Sequence, residues 1–150
     1  MKAKLFEQLH KEHEEFRTTM KQMLDNEDQK FRETTVAQFG TAIRAHMKAE
    51  ESAFYSAIEE ESETHMLALQ AYEEHHVADL LLGELLKLKV TEDEWSAKLQ
   101  VLTEIVEHHI EEEEEQIFEK ADDLLDEDEL DEIYNEFLAK KDDWINRKAA

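Results

Sequence analysis

Eight histidines and no cysteine set the chemistry open to this 150-residue chain. Without Cys there is no disulfide, thiolate metal site, iron–sulfur cluster or Cys nucleophile. Six polar residues stand where a helical period calls for an apolar one: His13, His46, Glu50, His75, His109 and Glu113. A carboxylate buried without a partner costs on the order of several kcal/mol, so these interruptions need a common purpose. Imidazole suits iron, zinc, copper and nickel as a ligand, and carboxylate shifts the balance toward iron or manganese. Four imidazoles and two carboxylates are too few for two octahedral ions unless ligands are shared. Two bridging carboxylates and an oxo or hydroxo bridge supply most of the missing bonds. The set therefore reads best as a di-iron centre, with open positions for a small ligand.

Helices must position these residues. Zero Pro and two Gly leave little to punctuate strands and turns. Apolar residues recur at steps of three and four, the period of one helix face. The stripes run Phe6, Leu9, His13, Phe16, Met20; Val36, Phe39, Ile43, His46, Glu50, Ala53; Ala68, Ala71, His75, Ala78, Leu82; and Trp95, Leu99, Leu102, Val106, His109, Glu113, Ile117. A shorter stripe follows: Leu130, Ile133, Phe137, Trp144. Breaks fall at Asp25–Asp28, Glu59–Ser62 and Lys89–Asp93, where Thr91 and Glu94 have capping-box spacing. Connections this short join antiparallel neighbours. The expected fold is all-α: an up-down-up-down antiparallel four-helix bundle over about 4–121, with an extra C-terminal helix over about 127–147, in one domain spanning 1–150.

In an antiparallel pair, residues equidistant from the turn share a level. The midpoint of His13 and His46 falls between Gln29 and Lys30. That of His46 and His75 falls between Glu60 and Glu61, and that of His75 and His109 at Glu92. Each midpoint lies in or beside a break. All four His are thus expected at one level, with Glu50 and Glu113 one turn on along the same faces.

The remaining polar residues read differently. His10, His76 and His108 sit one position off the best stripes, and His65 lies beside a break, so all four are expected outside the inward ligand set. Asp79 is a weak extra ligand candidate. Of the run Glu111–Glu115 only Glu113 lies on the apolar stripe, and the rest read as a solvated face. Phe54, Tyr55 and Tyr72 read as core packing. The acidic stretch Asp126–Asp131 fails as a calcium loop, since Leu130 stands at its fifth position and Asp131 where Gly is needed. A ferritin-like reading would use Glu-x-x-His steps. Glu7-x-x-His10 and Glu73-x-x-His76 exist, but they lie off the stripes and leave His13, His46 and His109 unexplained.

The order His13, His46-x-x-x-Glu50, His75, His109-x-x-x-Glu113 resembles the hemerythrin-like (HHE cation-binding) domain of the single-domain bacterial type. The resemblance also takes in Leu9–His13, Glu51 with Phe54-Tyr55, Glu73–His76 with Leu81-Leu82, and Glu114 with Ile117-Phe118. It implies a non-haem di-iron site for dioxygen, nitric oxide or peroxide. His13, His46, His75 and His109 would be terminal ligands, and Glu50 and Glu113 would bridge the irons. Oxygen-carrying hemerythrins place two His on the third helix. Here Ala71 and Asp79 flank His75 at four residues, so one imidazole is missing. Many relatives have Pro after the aromatic residue of each His-x-x-x-Glu helix. Ser56 and Glu119 stand there in this chain, so both helices are expected to run on.

Forty Asp and Glu against 17 Lys and Arg give a net charge of −23. Nucleic acid and anionic membrane surfaces are thereby unfavourable partners. No stretch approaches the roughly 18 apolar residues of a membrane span, nor an export signal, so a cytoplasmic location is expected. Three functions compete: reversible binding of dioxygen or nitric oxide, served by an unidentified redox partner; enzymatic decomposition of peroxide or nitric oxide at the same irons; and a metal-free acidic interaction bundle.

Overall fold

The computed structural model describes residues 3–149, which form five helices. Helix α1 spans Lys4–Asp25. Helix α2 runs Gln29–Glu50, passes through a π-helical turn at Glu51–Tyr55 and ends on Ser56–Glu59. Helix α3 spans His65–Lys87. Helix α4 runs Asp93–Glu112, passes through a second π turn at Glu113–Ile117 and ends on Phe118–Leu124. Helix α5 spans Glu127–Ala149. Helices α1 to α4 close a ring of neighbours, the expected bundle, and α5 lies along α1 and α2. Both His-x-x-x-Glu helices do run on, but each inserts a π turn beginning at or just after its Glu.

Local chemistry sets the connections. The Asp28 carboxylate accepts from the Phe31 N–H at 2.9 Å and caps α2. The buried Arg32 donates from Nε to the Met23 and Asn26 carbonyls, satisfying the end of α1. Its guanidinium lies 4.9 Å from the Trp95 ring centroid, which ties the α1–α2 turn to α4. The fully buried Thr64 hydroxyl donates to the Ile58 carbonyl at 2.6 Å and closes the α2–α3 connection.

One expected cap does not form. Helix α4 is capped at Glu92 rather than Thr91, with no side-chain cap bond. The Glu92 N–H is held by the Lys89 carbonyl and the Trp95 N–H by the Glu92 carbonyl, both at 3.0 Å. Trp95, fully buried, anchors that first turn, and Thr91 stays exposed. The acidic stretch rejected as a calcium loop is itself a cap for α5. The Glu129 N–H donates to Asp126 Oδ1 at 2.8 Å, and the Asp126 N–H donates back to Glu129 Oε1 at 3.3 Å.

The core has two apolar clusters. One gathers Leu5, Phe6, Leu9, Phe54, Ile58, Phe118 and Phe137. The other gathers Phe16, Met20, Phe39, Ile43, Leu82, Leu99 and Trp95. The six polar interruptions lie between them: His13, for example, separates Leu9 of the first from Phe16 of the second. The packed walls on both sides hold this polar layer away from water. No helix among the described residues is long and apolar enough to cross a membrane.

Candidate metal centre

All six interrupting residues are buried, from 0 % exposure for Glu50 and Glu113 to 9 % for His109. They form two groups whose potential ligand atoms lie within 4.8 Å of one another: His13, His46, Glu50 and Glu113; and Glu50, His75 and His109. Each carboxylate straddles the two histidine pairs. Glu50 turns Oε2 toward His46 Nε2 at 3.6 Å and Oε1 toward His75 Nε2 at 3.1 Å. Glu113 turns Oε1 toward His13 Nε2 at 3.0 Å and Oε2 toward His109 Nε2 at 3.7 Å.

A second ring of carboxylates fixes the imidazoles. His13 Nδ1 meets Glu114 at 2.6 Å and His46 Nδ1 meets Glu12 at 2.9 Å. His75 Nδ1 meets Glu51 at 2.8 Å and His109 Nδ1 meets Glu74 at 2.6 Å. An ionised carboxylate only accepts, so each Nδ1 carries the hydrogen and each Nε2 presents its lone pair inward. Lone pairs then face carboxylate oxygens, and His75 Nε2 lies 3.1 Å from His109 Nε2. Only a proton or a metal cation reconciles acceptor with acceptor.

The electrostatics of the layer carry the same demand. Burial disfavours a charged His46, yet the Glu50 charge and the Glu12 hydrogen bond overcome it and push His46 up to about 10. His75, opposed by burial in the same way, is pushed up to about 9 by its bonds to Glu50 and Glu51. His13 rises as Glu113 and Glu114 outweigh its burial. Glu50 falls well below the usual carboxylate range, because the His46 charge outweighs desolvation. Three inward atoms have no hydrogen-bond partner among the described residues: His13 Nε2, Glu50 Oε2 and Glu113 Oε1. Buried polar atoms are rarely left so. All three belong to the first group, and they fit a bound cation.

Tyr55 is a site residue that the helical period does not reveal. Its ring packs on Tyr72 and His75, as core packing requires. Its hydroxyl, however, lies inside the second group. It is 2.9 Å from Glu50 Oε1, 3.1 Å from His109 Nε2 and 3.3 Å from His75 Nε2, and it donates to Glu113 Oε2. In an α-helix, a residue five after Glu50 would face elsewhere. The π turn, with its i→i+5 repeat, returns it to the Glu50 face. Burial first, then the charges of Glu113 and Glu50, hold the phenol well above its ordinary value, so it is neutral.

The outer carboxylates Glu12, Glu51 and Glu74 also escape a reading confined to the apolar stripes. Glu114, expected in a solvated face, instead bonds both His13 and His10. A repeat makes these residues legible. Glu12-His13, His46 and Glu50-Glu51 recur as Glu74-His75, His109 and Glu113-Glu114. The counterpart of Tyr55 is Phe118, whose ring stacks on Phe6 and lies parallel to His13 at 6.3 Å.

The other histidines stay outside the inward groups. His10, His65, His76 and His108 are exposed, and His65 Nδ1 meets the Glu59 carbonyl. His108 forms an exposed-side group with Glu74 and Glu112. Asp79 pairs with Arg44 at 2.7 Å and does not face the centre. The ferritin-like choice joined Glu50 and Glu113 to Glu7, His10, Glu73 and His76, and the last four are all exposed.

An apolar cavity of about 20 Å³ adjoins the four histidines. Phe16, Ile43, Ala78, Ile105, Val106 and Ile110 line it. It has room for one water-sized molecule.

No curated protein and no solved structure matches the chain. The model of the hemerythrin HHE cation binding domain matches residues 4–121, which include all six inward residues, both π turns and Tyr55. The chain therefore belongs to the hemerythrin family, whose domain binds cations.

Proposed function

We propose that the centre holds two iron ions and reversibly binds a small uncharged ligand, dioxygen or nitric oxide. His13 and His46 would hold one ion, His75 and His109 the other, and Glu50 and Glu113 would bridge them. The observation that carries this reading is the straddling of both carboxylates, one oxygen toward each histidine pair. Iron supplies an open coordination position and exchangeable electrons when bound.

The chain's own residues do the rest. The four outer carboxylates hold the hydrogen on each Nδ1, aim each Nε2 inward and raise imidazole basicity. On the third helix, Asp79 is engaged by Arg44, and Ala71 is buried in the cluster that holds the Tyr55 ring. The Tyr55 hydroxyl is thus the donor nearest the His75/His109 pair, to which the third helix contributes one imidazole and not two. The apolar cavity admits an uncharged diatomic molecule and disfavours ions, which would lose their hydration there.

The test is spectroscopic. The reduced, iron-loaded chain should give a visible absorption change with dioxygen or nitric oxide that reverses on removing the gas. Rapid irreversible oxidation with no adduct contradicts the reading. Decomposition of peroxide or nitric oxide is a second reading, and the Tyr55 hydroxyl favours it, because a neutral phenol at the centre can deliver a proton. Sustained oxygen release from peroxide, lost in His109→Ala and slowed in Tyr55→Phe, would select that reading.

A further inference from the structure

Helix α5 begins at Glu127, past the residues matched by the family model, yet it reaches the centre at two points. Phe137, fully buried, sets its ring edge-on to His46 with centroids 5.7 Å apart. One turn on, Lys141 Nζ donates to Glu12 Oε2 at 2.6 Å, and Glu12 Oε1 accepts from His46 Nδ1 at 2.9 Å. Gln8 Nε2 donates to the same Glu12 Oε2 at 2.7 Å. Lys141 Nζ also lies 5.6 Å from the Phe137 ring centroid, so the two contacts act as one unit.

Glu12 differs from its three counterparts. Its side chain is 8 % exposed, against 20 % for Glu51, 25 % for Glu74 and 22 % for Glu114. The three more exposed carboxylates can be solvated. A buried one needs a cation, and losing it leaves an uncompensated charge. Glu74, the counterpart of Glu12 in the repeat, forms no hydrogen bond or ion pair with a described residue of α5. Its neighbours are His109, Glu112 and His108.

We propose that Lys141 is a positioning residue of the metal centre, and that α5 is a strap through which the His13/His46 half keeps its ion. Lys141 fixes the rotation of the Glu12 carboxylate, Glu12 fixes the hydrogen on His46 Nδ1, and His46 Nε2 is thereby aimed inward. The strap acts on one half alone. The inference rests on the two-ion reading above.

The test uses the full-length chain loaded with iron, then challenged with a chelator. Wild type should release both ions slowly. In Lys141→Met, which keeps the aliphatic stem, one ion should leave about tenfold faster while the other leaves at the wild-type rate. Lys141→Arg should restore slow release of both. The His46 Nδ1–H proton resonance of the metal-free chain gives a second readout, and its exchange with water should quicken in Lys141→Met. Glu12→Gln serves if Lys141→Met does not fold, with the same one-sided loss expected. Equal acceleration of both ions in either variant means general loosening and overturns the proposal. So does a Lys141→Met chain indistinguishable from wild type. A wild-type chain that holds no iron overturns the two-ion reading and this inference together. Two ions held by wild type and unaffected by either variant overturn this inference alone.

Discussion

The α1/α2 half of the centre and the α3/α4 half repeat the same residues and are finished differently. Each contributes a Glu-His pair, a second His, and a Glu-Glu pair at a π turn. In each, the first Glu of the pair reaches inward and the second crosses to a histidine of the other half: Glu51 to His75, Glu114 to His13. The difference comes five residues after the inward Glu of each half. Tyr55 puts a hydroxyl among Glu50, His75, His109 and Glu113. Phe118 offers only a ring face, and the unpartnered atoms His13 Nε2, Glu50 Oε2 and Glu113 Oε1 lie in the half that lacks a hydroxyl. One oxygen atom therefore separates a half whose acceptors are already answered from a half whose acceptors are not. The His75/His109 half is closed by a phenol that α2 supplies, and the His13/His46 half is closed from outside by α5.

The largest expected effect comes from a residue that both halves share. Glu50→Ala should abolish retention of both ions, since Glu50 belongs to both groups of inward atoms. Metal analysis after gel filtration checks this, and an unchanged iron content would break the comparison at its root. Next comes the residue that distinguishes the halves. Tyr55→Phe should weaken the ion of the His75/His109 half by about 10- to 100-fold, the range for lost supporting groups, and shift the visible spectrum of the iron-loaded protein. The reciprocal Phe118→Tyr places a hydroxyl in the other half and should alter the spectrum without loss of iron. Matching effects of the two substitutions would show that the halves are equivalent after all.

The pH dependence of the metal-free protein is a smaller effect with a defined sign. His46 and His75 stand above the ordinary histidine value of 6.5, at about 10 and about 9. Their contribution to stability is full below pH 6.5 and is lost as pH rises through 9 to 10, first in the His75 half. Glu12, Glu74 and Glu114 are lowered from 4.5 to about 2 as histidine hydrogen bonds outweigh their burial. Their contribution is present above pH 4.5 and is lost as pH falls toward 2. Melting temperature should therefore peak between pH 4.5 and 6.5 and decline on both sides. Bound metal displaces the imidazole protons, so its added stabilisation should grow from pH 6 to 9. A metal-free melting temperature that climbs from pH 7 to 9 would contradict the assigned partners. The smallest effect is at the start of α4, where Thr91→Ala should change stability by less than about 0.5 kcal/mol because no cap is lost. Asp126→Ala, by contrast, removes the cap of the strap helix and should cost about 1 kcal/mol by denaturant melt.

The bundle was legible because a period of 3.6 and three short breaks admit few alternatives. The level of the four inward histidines followed from turn midpoints, and the place of Glu50 and Glu113 from their four-residue step along the same faces. Tyr55 was hidden because the same period assigns it to another face, and the π turn that corrects this leaves no composition signal. Among 40 acidic residues the apolar period does not single out Glu12, Glu51, Glu74 and Glu114, and only the repeat of the two halves marks them. Thr91 and Glu94 had the spacing of a capping box, but burial of Trp95 set where α4 begins. Lys141 lies 129 residues from its partner Glu12, a contact that only the tertiary packing of α5 creates.

Iron content per chain, measured together with the Mössbauer spectrum of the oxidised protein, tests the central claim most directly. The account predicts two irons per chain, magnetically coupled and in two distinguishable environments, one for each half. A single iron, uncoupled irons or no iron at all would contradict it.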